Sequence, residues 1–300
     1  MRIAVTGASG LVGSILVPFL SAEGHTVHRV GRSPAGASER DISWQPAEGR
    51  IEARRFEGID AVVHLAGESL ASGRWTRERR KRIFDSRVRG TRLLSESLAG
   101  LARKPSVLVS ASAVGYYGDR GAETLDEESG PGEGFLPEVC QAWEQATAAA
   151  EGAGIRVVKL RSGVVLSPAG GALARMLPVF RAGLGGRLGS GAQYMSWIAV
   201  GDLASVVRHV VGEEGLTGPV NAVSPRPITN AELTKALGDV LHRPTPFRVP
   251  AAALRLALGR GLADEALLTS QRVVPAKLRA SGFQWSYPRI EGALRHLLGG

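Results

Sequence analysis

The sequence predicts an α/β fold: a doubly wound parallel sheet with helices on both faces and a small, mainly helical C-terminal lobe. Residues 3–5 form a short apolar run, as expected of a buried strand, and glycines follow at positions 7, 10 and 13. Ile15, Leu16, Phe19 and Leu20 then share one helical face, and residues 25–30 form the next predicted strand. A strand, a glycine turn and a helix in this order begin a dinucleotide-binding fold.

The glycine turn, residues 7–13, is predicted to hold a pyrophosphate. Without side chains, the turn lets backbone N–H groups and the N-terminus of the helix approach the phosphates closely. Glycines at this spacing also occur in ordinary tight turns, but here the strand and the helix that the motif requires flank them. The residues that we expect to contact the cofactor are Gly7, Ser9, Gly10, Leu11 and Val12.

The end of the second strand selects the cofactor. An NAD enzyme has Asp or Glu there for the ribose 2′-hydroxyl, whereas an NADP enzyme needs a cation for the 2′-phosphate. This chain has Gly31, Arg32 and Ser33 after Val30 and no acidic residue. Because a guanidinium and a hydroxyl suit a phosphate, the sequence predicts NADP(H). The alternative for Arg32 is a solvated surface arginine.

The composition excludes several classes of protein. The chain has 300 residues, of which 44% are hydrophobic, and no apolar run approaches the roughly 20 residues of a membrane span. Cys140 is the only cysteine, which excludes an intrachain disulfide and suits a reducing cytoplasm, where we expect the protein. The six histidines lack the spacing of a metal site, so no metal is predicted.

The formal charge of +9 is concentrated between residues 74 and 92. Such a basic segment suits nucleic acid, an anionic substrate or a solvated helix face. Aromatic residues make up only 5% of the chain and no nucleic-acid-binding motif is present. We therefore expect a small-molecule substrate and neither a nucleic acid nor a membrane as partner.

The next strands supply further candidate residues. Residues 40–44 and 59–67 are the third and fourth predicted strands, and the small residues that end the fourth would let Leu65, Ala66 and Gly67 lie along the cofactor. His64 within this run is predicted to be a packed core histidine. Thr76 is a suitable N-cap for the basic helix that follows. Arg87 falls on the inward stripe of that helix, where a guanidinium needs an anionic partner, and the cofactor is our preferred one.

The second half of the chain continues the alternation. Residues 107–112 and 155–161 are predicted strands, and the helix between them spans 136–151. Residues 168–191 are rich in glycine, and the stretch 165–200 is expected to contribute a pocket wall or lid. Asp202 is predicted to cap a helix over 203–211, and Thr229 with Glu232 forms a capping box. The predicted domains are 1–225, for the nucleotide, and 226–300, a small substrate lobe.

The motif from Thr6 to Gly13, T-G-x-x-G-x-x-G, resembles the extended short-chain dehydrogenase/reductase superfamily. The fifth strand and the turn after it, residues 110–119, are similar to the S-S-x-x-V-Y-G-D stretch of those enzymes. Ser112 then falls at the catalytic serine or threonine, which donates a hydrogen bond to a substrate oxygen. The alternative is a hydroxyl that satisfies backbone groups at the strand end.

Short-chain enzymes also need a tyrosine and a lysine four residues apart on the helix after the fifth strand, so that both lie on one face. This chain contains no Y-x-x-x-K, and alignment through Glu144 puts Leu136 and Cys140 at those positions. Tyr116 or Tyr117 would have to substitute as the acid; the alternative for both is an aromatic pocket wall. On its apolar stripe Cys140 is expected to pack as a small hydrophobic residue.

Motifs along the whole chain narrow the resemblance to the YfcH-like epimerase family, the atypical family 39U of short-chain enzymes. They begin at Leu65, Arg74, Ser86, Val114, Trp143, Arg161, Gly189, Asn221 and Gly282. The resemblance implies a Rossmann fold that binds NADP(H), followed by a C-terminal domain of unknown function. It also implies an oxidoreductase or epimerase acting on a small carbonyl or hydroxyl compound, nucleotide sugars included, and a homodimer by analogy with the superfamily.

The family positions add cofactor contacts to those of the glycine turn. They are Gly31, Arg32, Leu65, Ala66, Arg87 and Leu160. Ser110 on the fifth strand and Arg161 on the sixth are further expected cofactor contacts. The substrate pocket is expected to be walled by Tyr116, Tyr117, Gln193, Tyr194 and Trp197. Where the family has W-I-H-I-D-D this chain has Ala199 and Gly201 in place of polar residues, which argues against a role for that histidine here.

Overall fold

The computed structural model of the chain describes residues 1–32, 40–70 and 73–299; Ser33, a predicted cofactor contact, lies outside them. The strands are β1 (Arg2–Thr6), β2 (Thr26–Gly31), β3 (Ile42–Gln45), β4 (Arg50–Ile51), β5 (Ala61–His64), β6 (Val107–Ala113), β7 (Thr124–Leu125), β8 (Arg156–Ser162), β9 (Val164–Leu166), β10 (Gly186–Leu188), β11 (Tyr194–Met195), β12 (Trp197–Ala199), β13 (Gly218–Ala222), β14 (Ile228–Thr229), β15 (Phe247–Val249) and β16 (Arg272–Val273). The helices are α1 (Gly13–Ala22), α2 (Arg77–Ala99), α3 (Phe135–Gln145), α4 (Ala148–Gly152), α5 (Gly171–Arg181), α6 (Val200–Gly212), α7 (Asn230–Leu241), α8 (Ala251–Leu258), α9 (Arg260–Leu262), α10 (Ala276–Ala280) and α11 (Ile290–Leu298).

Eight strands form the central sheet in the order β13-β8-β6-β5-β1-β2-β3-β4. All neighbours are parallel except β4, which runs antiparallel to β3 at one edge. The chain moves outward from β1 through β2 and β3, then returns to the other side of β1 with β5. This confirms the doubly wound parallel sheet. Ligands of such sheets bind at the carboxyl ends of the strands, where the order reverses.

Successive residues of β1 point to opposite faces of the sheet and supply two apolar layers. Ile3 and Val5 pack with Leu16 of α1 and with Val207 of α6 on one face. Ala4 packs on the other face with a cluster that includes Leu94 and Leu98 of α2. Helices therefore cover both faces of the sheet, with α1 and α6 on one face and α2 on the other.

A third apolar cluster joins the C-terminal helices to the middle of the chain. Leu237 of α7 and Leu294 of α11 pack there against Leu173 of α5 and Trp197. Trp197 was expected to wall the substrate pocket, and this was wrong: its side chain is 0% exposed and its Nε1 donates to the carbonyl of Arg226 at 3.1 Å. The boundary at residue 225 stays a prediction.

Two local expectations are corrected by the structure. Helix α6 begins at Val200, and buried Asp202 in its first turn accepts the backbone N–H groups of Ser286 and Tyr287 at 2.9 and 3.0 Å instead of capping the helix. The helix predicted over 136–151 is broken after Gln145 into α3 and α4. The caps at Thr76 and Thr229 are confirmed.

Candidate functional site

The glycine turn after β1 is packed so tightly that it requires glycine. Gly7 has a φ of +67°, and its carbonyl accepts the N–H of Gly10 at 2.9 Å. A Cβ at Gly13 would lie 2.2 Å from that carbonyl oxygen, and one at Gly7 would lie 2.9 Å from the carbonyl carbon of Leu65. The turn therefore brings bare backbone against the start of α1 and against the chain that leaves β5.

Helix α1 begins at this turn without a side-chain cap. The N-terminus of a helix is the positive end of its dipole. In α1 the N–H groups of Ser14 and Ile15 donate to the carbonyls of Gly10 and Val12 at 2.9 and 3.1 Å, so the residues before Ser14 are the ones that can face a ligand. Ser9 and Gly10 are exposed, and Leu11 and Val12 are half-buried. This part of the turn is therefore open to a ligand, and its chemistry fits a pyrophosphate.

Arg32 directly follows β2 and is exposed. Its strand lies beside β1, with Thr6 in register with Val30. Arg32 and Gly31 thus lie at the same edge of the sheet as the glycine turn, as expected for residues near the ribose of a dinucleotide.

A buried histidine fixes the loop after β5. His64 is 0% exposed; its Nδ1 is 2.7 Å from Oγ1 of Thr6, and its Nε2 is 2.9 Å from Oγ1 of Thr91. Burial lowers the pKa of His64 to about 4, so the ring is neutral near pH 7. Thr6 Oγ1 also accepts the N–H groups of Leu65 and Ala66 at 3.1 and 3.2 Å. The prediction of a packed core histidine is confirmed.

Arg87 projects inward from α2, as predicted. Its Nη1 donates to the carbonyls of Glu68 and Ile83 at 3.0 and 3.2 Å, and its guanidinium lies 5.0 Å from the ring centroid of Trp143. Burial lowers the pKa of Arg87. The guanidinium is also next to Gly67, where an added Cβ would be 3.5 Å from its Cζ. It thus lines the loop that was expected to run along the cofactor; the contact itself stays a prediction.

Side chains from several elements meet at the end of β6 and are hydrogen-bonded to one another. We call them the β6 network: Ser112, Tyr117, Glu144, Arg161 and Asn221. Arg161 pairs with Glu144 through two hydrogen bonds, Nε to Oε1 at 2.8 Å and Nη2 to Oε2 at 2.9 Å. Ser112 Oγ donates to the same Oε1 at 2.7 Å. Nη1 of Arg161 donates to the hydroxyl of Tyr117 at 3.0 Å, which donates to Asn221 Oδ1 at 2.8 Å.

This network overturns two expectations. Ser112 directs its only proton to Glu144, so in this arrangement it does not donate to a substrate oxygen. Tyr117 is 0% exposed and its hydroxyl proton is directed to Asn221, so it was wrong to expect it as the acid or as a pocket wall; burial also raises its pKa to about 12. Arg161 is 3% exposed and its guanidinium holds Glu144 and Tyr117; its expected contact with the cofactor stays a prediction.

Tyr116 differs from the other members of this region. It is half-buried, and the Cζ atom of Arg161 lies 3.5 Å from the centroid of its ring. Within the described part of the chain its hydroxyl makes no hydrogen bond. The turn that carries it, residues 114–117, directly follows β6. Tyr116 is therefore the candidate acid whose polar atom is free to meet a ligand.

The two positions at which a tyrosine and a lysine were sought are both apolar and buried. Leu136 and Cys140 on α3 lie against Gly115. A Cβ added at Gly115 would be 3.5 Å from Cβ of Leu136 and 3.8 Å from Sγ of Cys140. Burial raises the pKa of the Cys140 thiol to about 12, so it is inert as a nucleophile. The expectation that Cys140 packs as a hydrophobic residue is confirmed.

The remaining predicted residues have varied positions. Ser110 and Leu160 are each 2% exposed, so a cofactor contact by either side chain stays a prediction. Gln193 donates to the carbonyls of Leu188 and Leu267 at 3.1 and 3.2 Å, which fixes it in the loop before β11. Tyr194 is half-buried, with Arg272 5.1 Å from its ring.

The C-terminal lobe is joined to α3 by a carboxylate. Glu265, in the π-helical turn Ala263–Leu267, accepts the N–H of Leu136 at 2.9 Å, and Arg80 lies 3.7 Å from its other oxygen. Among the described residues, no cluster of three His, Cys, Asp or Glu side chains is suited to a metal ion. No helix in that part of the chain is long and apolar enough to cross a bilayer.

Comparison with known proteins identifies the family. The model of the NAD dependent epimerase/dehydratase family matches residues 3–221, and a domain of unknown function, DUF1731, matches residues 249–297. The chain belongs to the NAD dependent epimerase/dehydratase family. An epimerase family protein of Mycobacterium bovis is 44% identical over 292 residues, which cover 97% of this chain and 96% of that protein.

Two solved structures of this epimerase family are informative. The human epimerase family protein SDR39U1, crystallised with NADPH, has 35% identity and a TM-score of 0.90, with 100% of this chain and 99% of the human chain covered. A nucleoside-diphosphate sugar epimerase from Corynebacterium glutamicum has 37% identity and a TM-score of 0.81, and covers 100% of this chain but 58% of its own. The chain is thus an epimerase family member with SDR39U1-like relatives, and the finer YfcH-like label stays a prediction.

Sequence reasoning missed two residues of this epimerase family site. Glu144 served only to align α3, although it is the acceptor of two side chains. Arg79, taken as part of a solvated helix face, is 6% exposed and pairs with Glu68 in the loop after β5. Its place on the inward stripe of α2, eight residues before Arg87, was the signal available for it.

Proposed function

We propose that the protein is an NADP(H)-dependent oxidoreductase or epimerase that acts on a small carbonyl or hydroxyl compound. The observation that carries this proposal is the glycine turn, in which an added Cβ at Gly13 would lie 2.2 Å from the carbonyl oxygen of Gly7. Only bare backbone fits there, and it lies at the N-terminus of α1, which has no side-chain cap. The human relative crystallised with NADPH supports the same cofactor.

The residues fit the cofactor as follows. Backbone N–H groups of the turn would hold the pyrophosphate, and Arg32 would pair with the 2′-phosphate. The loop 65–67, held by Thr6 and lined by Arg87, would support the ribose and the nicotinamide. When bound, the nicotinamide supplies or accepts a hydride.

The chain's own contribution to the reaction would be hydrogen bonding and exclusion of water. Tyr116 would donate its hydroxyl proton to the substrate oxygen, since Ser112 and Tyr117 are committed to Glu144 and Asn221. Tyr194 and Gln193 would wall the pocket. The Corynebacterium glutamicum relative is a nucleoside-diphosphate sugar epimerase by name, so nucleotide sugars belong among the first compounds to screen.

Calorimetry with NADPH and NADH tests the cofactor. We expect NADPH to bind more tightly, and Arg32→Ala to weaken NADPH by about 1.5–3 kcal/mol, roughly 10- to 150-fold, because a charge-assisted contact is lost. NADH affinity should not change. Arg29→Ala, an exposed arginine three residues earlier in β2, is the matched control. Binding of neither form of NADP, or a preference for NADH, would refute the proposal.

A second function, a non-catalytic NADP(H)-binding sensor or interaction protein, is favoured by the apolar residues at positions 136 and 140 and by the engaged hydroxyl of Ser112. A screen that follows NADPH absorbance with aldehydes, ketones and nucleotide sugars separates the two. Turnover that falls on Tyr116→Phe supports the enzyme; tight NADPH binding with no turnover supports the sensor. The homodimer, the cytoplasmic location and the domain boundary stay predictions.

A further inference from the structure

A buried ion pair, Arg161 with Glu144, lies next to Tyr116, and the stability of the fold does not by itself explain it. Arg161 and Glu144 are 3% and 9% exposed, and they form a two-bond ion pair inside the protein. Removing two charges from water carries a large desolvation penalty, and apolar residues of similar volume often serve stability as well or better. A role in holding something in place accounts for the pair better than stability does.

The group that the pair contacts is Tyr116. The Cζ atom of Arg161 is 3.5 Å from the centroid of the Tyr116 ring, well within the roughly 6 Å range of a cation–π contact. The ring of Tyr117 is farther away, at 5.2 Å. A desolvated cation at this distance attracts the face of the ring, so the position of the guanidinium sets the position of the phenol.

The guanidinium itself is fixed on its other sides. Glu144 holds Nε and Nη2, and the hydroxyl of Tyr117, which bonds Asn221, holds Nη1. Each of these hydrogen bonds of the β6 network joins two buried side chains. The contact between Arg161 and Tyr116 differs, because Tyr116 is half-buried. The network thus ends at half-buried Tyr116, in the turn after β6, whose hydroxyl makes no hydrogen bond among the residues that the structure describes.

We propose that Arg161, locked by Glu144, is the positioning residue for Tyr116 and orients its hydroxyl toward the substrate. The inference rests on the proposed function, in which Tyr116 donates to the substrate oxygen. It extends that function by assigning the orientation of the acid to a strand residue, 45 positions later in the chain, rather than to a neighbour on its own turn.

A double-mutant cycle of Tyr116→Phe and Arg161→Lys tests the link through turnover of the best compound from the screen. A lysine keeps the charge but not the fork that Glu144 holds. We expect Arg161→Lys to lower kcat by about 10- to 100-fold, up to the size of a lost acid, without changing the KM for NADPH. The double variant should be no slower than Tyr116→Phe alone. Losses that multiply would mean that Arg161 acts independently of Tyr116, and would overturn the proposal.

A spectroscopic readout decides the same point whether or not a substrate is found. With 3-fluorotyrosine incorporated, the 19F resonance of Tyr116 is identified by its loss in Tyr116→Phe. In Arg161→Lys we expect this resonance to move toward its position in the unfolded chain while those of Tyr194 and Tyr287 stay in place. An unmoved resonance would overturn the proposal, whereas absence of turnover in the wild type would count only against the proposed reaction.

Two further variants guard the interpretation. Arg156→Lys is the control, because Arg156 lies on the same strand but its guanidinium donates to the backbone carbonyls of Val210, Val211 and Leu216. It should leave the Tyr116 resonance and kcat unchanged. If Arg161→Lys fails to fold, Glu144→Gln loosens the same guanidinium, and the Tyr116 resonance should again move; its staying in place would refute the link.

Discussion

The two halves of the carboxyl edge of the sheet are built in opposite ways. The glycine turn and the loop 65–67 present backbone, and the N-terminus of α1 has no side-chain cap. The end of β6 presents side chains whose hydrogen bonds are satisfied among themselves, with Arg161 and Glu144 at the centre. The backbone of the first half suits a charged ligand, whereas the side chains of the second half are fixed by their hydrogen bonds to one another. The difference suggests that affinity for the cofactor and orientation of the substrate depend on separate sets of residues.

The open half, which is the glycine turn with the loop 65–67, should respond in cofactor affinity. Gly13→Ala would put a Cβ 2.2 Å from the carbonyl oxygen of Gly7, where ordinary contacts are 3.4–4 Å, so the turn and α1 must move apart by about 1 Å. We expect NADPH affinity to fall on the order of 100-fold, or about 3 kcal/mol, in calorimetry. Gly212→Ala, where an added Cβ meets nothing within 4 Å, is the control. Unchanged affinity in Gly13→Ala would mean that the turn does not hold the cofactor.

The closed half, which is the β6 network, should respond in the free energy of unfolding. Glu144→Ala leaves the buried guanidinium of Arg161 without its partner, and we expect the free energy of unfolding in urea to fall by about 3–5 kcal/mol. NADPH affinity measured on the folded protein should stay near that of the wild type. Asp239→Ala removes a carboxylate from an exposed pair with Lys235, and should leave the free energy of unfolding almost unchanged. Equal stabilities of the two variants would remove the contrast between the halves.

A pH dependence is expected from His64, whose buried ring lies between Thr6 of β1 and Thr91 of α2. Its pKa is about 4 in the fold and about 6.5 in an unfolded chain, so below pH 6.5 the unfolded state binds a proton that the folded state does not. Stability should therefore fall by up to about 3 kcal/mol between pH 6.5 and pH 4, and this contribution is constant above pH 6.5.

Urea unfolding across that range checks the expectation. His64→Gln should show a shallower decline than the wild type; the remaining slope includes His28 and His209, whose pKa values burial also lowers. His242→Asn, at an exposed histidine that ends α7, should follow the wild type. A slope in His64→Gln as steep as that of the wild type would contradict the assignment.

How far the sequence predicts the site follows from the same contrast. The glycine turn is a local pattern: the spacing from Gly7 to Gly13 and the flanking apolar runs are enough to specify a strand, a turn and a helix. The caps at Thr76 and Thr229 are local for the same reason and were predicted correctly. Wherever backbone geometry and neighbours within a few residues decide, the sequence is sufficient.

The β6 network depends instead on contacts between distant elements. Glu144 on α3 pairs with Arg161 on β8, and Tyr117 donates to Asn221, which is 104 residues later. Because the partners lie on different elements, the hydrophobic periodicity of the sequence does not predict either pair. Ser112 and Tyr117 carry the right chemistry for catalysis, and only the packing around them shows that their hydroxyls are already bonded. Asp202 failed as a predicted cap because its partners, the N–H groups of Ser286 and Tyr287, come from the far end of the chain.

The carboxylate of Glu265 on the N–H of Leu136 ties the C-terminal lobe to α3. If the lobe swung away from the sheet as a rigid flap, the first turn of α3 would lose its acceptor, and Arg80 would lose its nearby negative charge. A movement of the lobe away from α3 therefore has to break a hydrogen bond to a carboxylate and separate an ion pair.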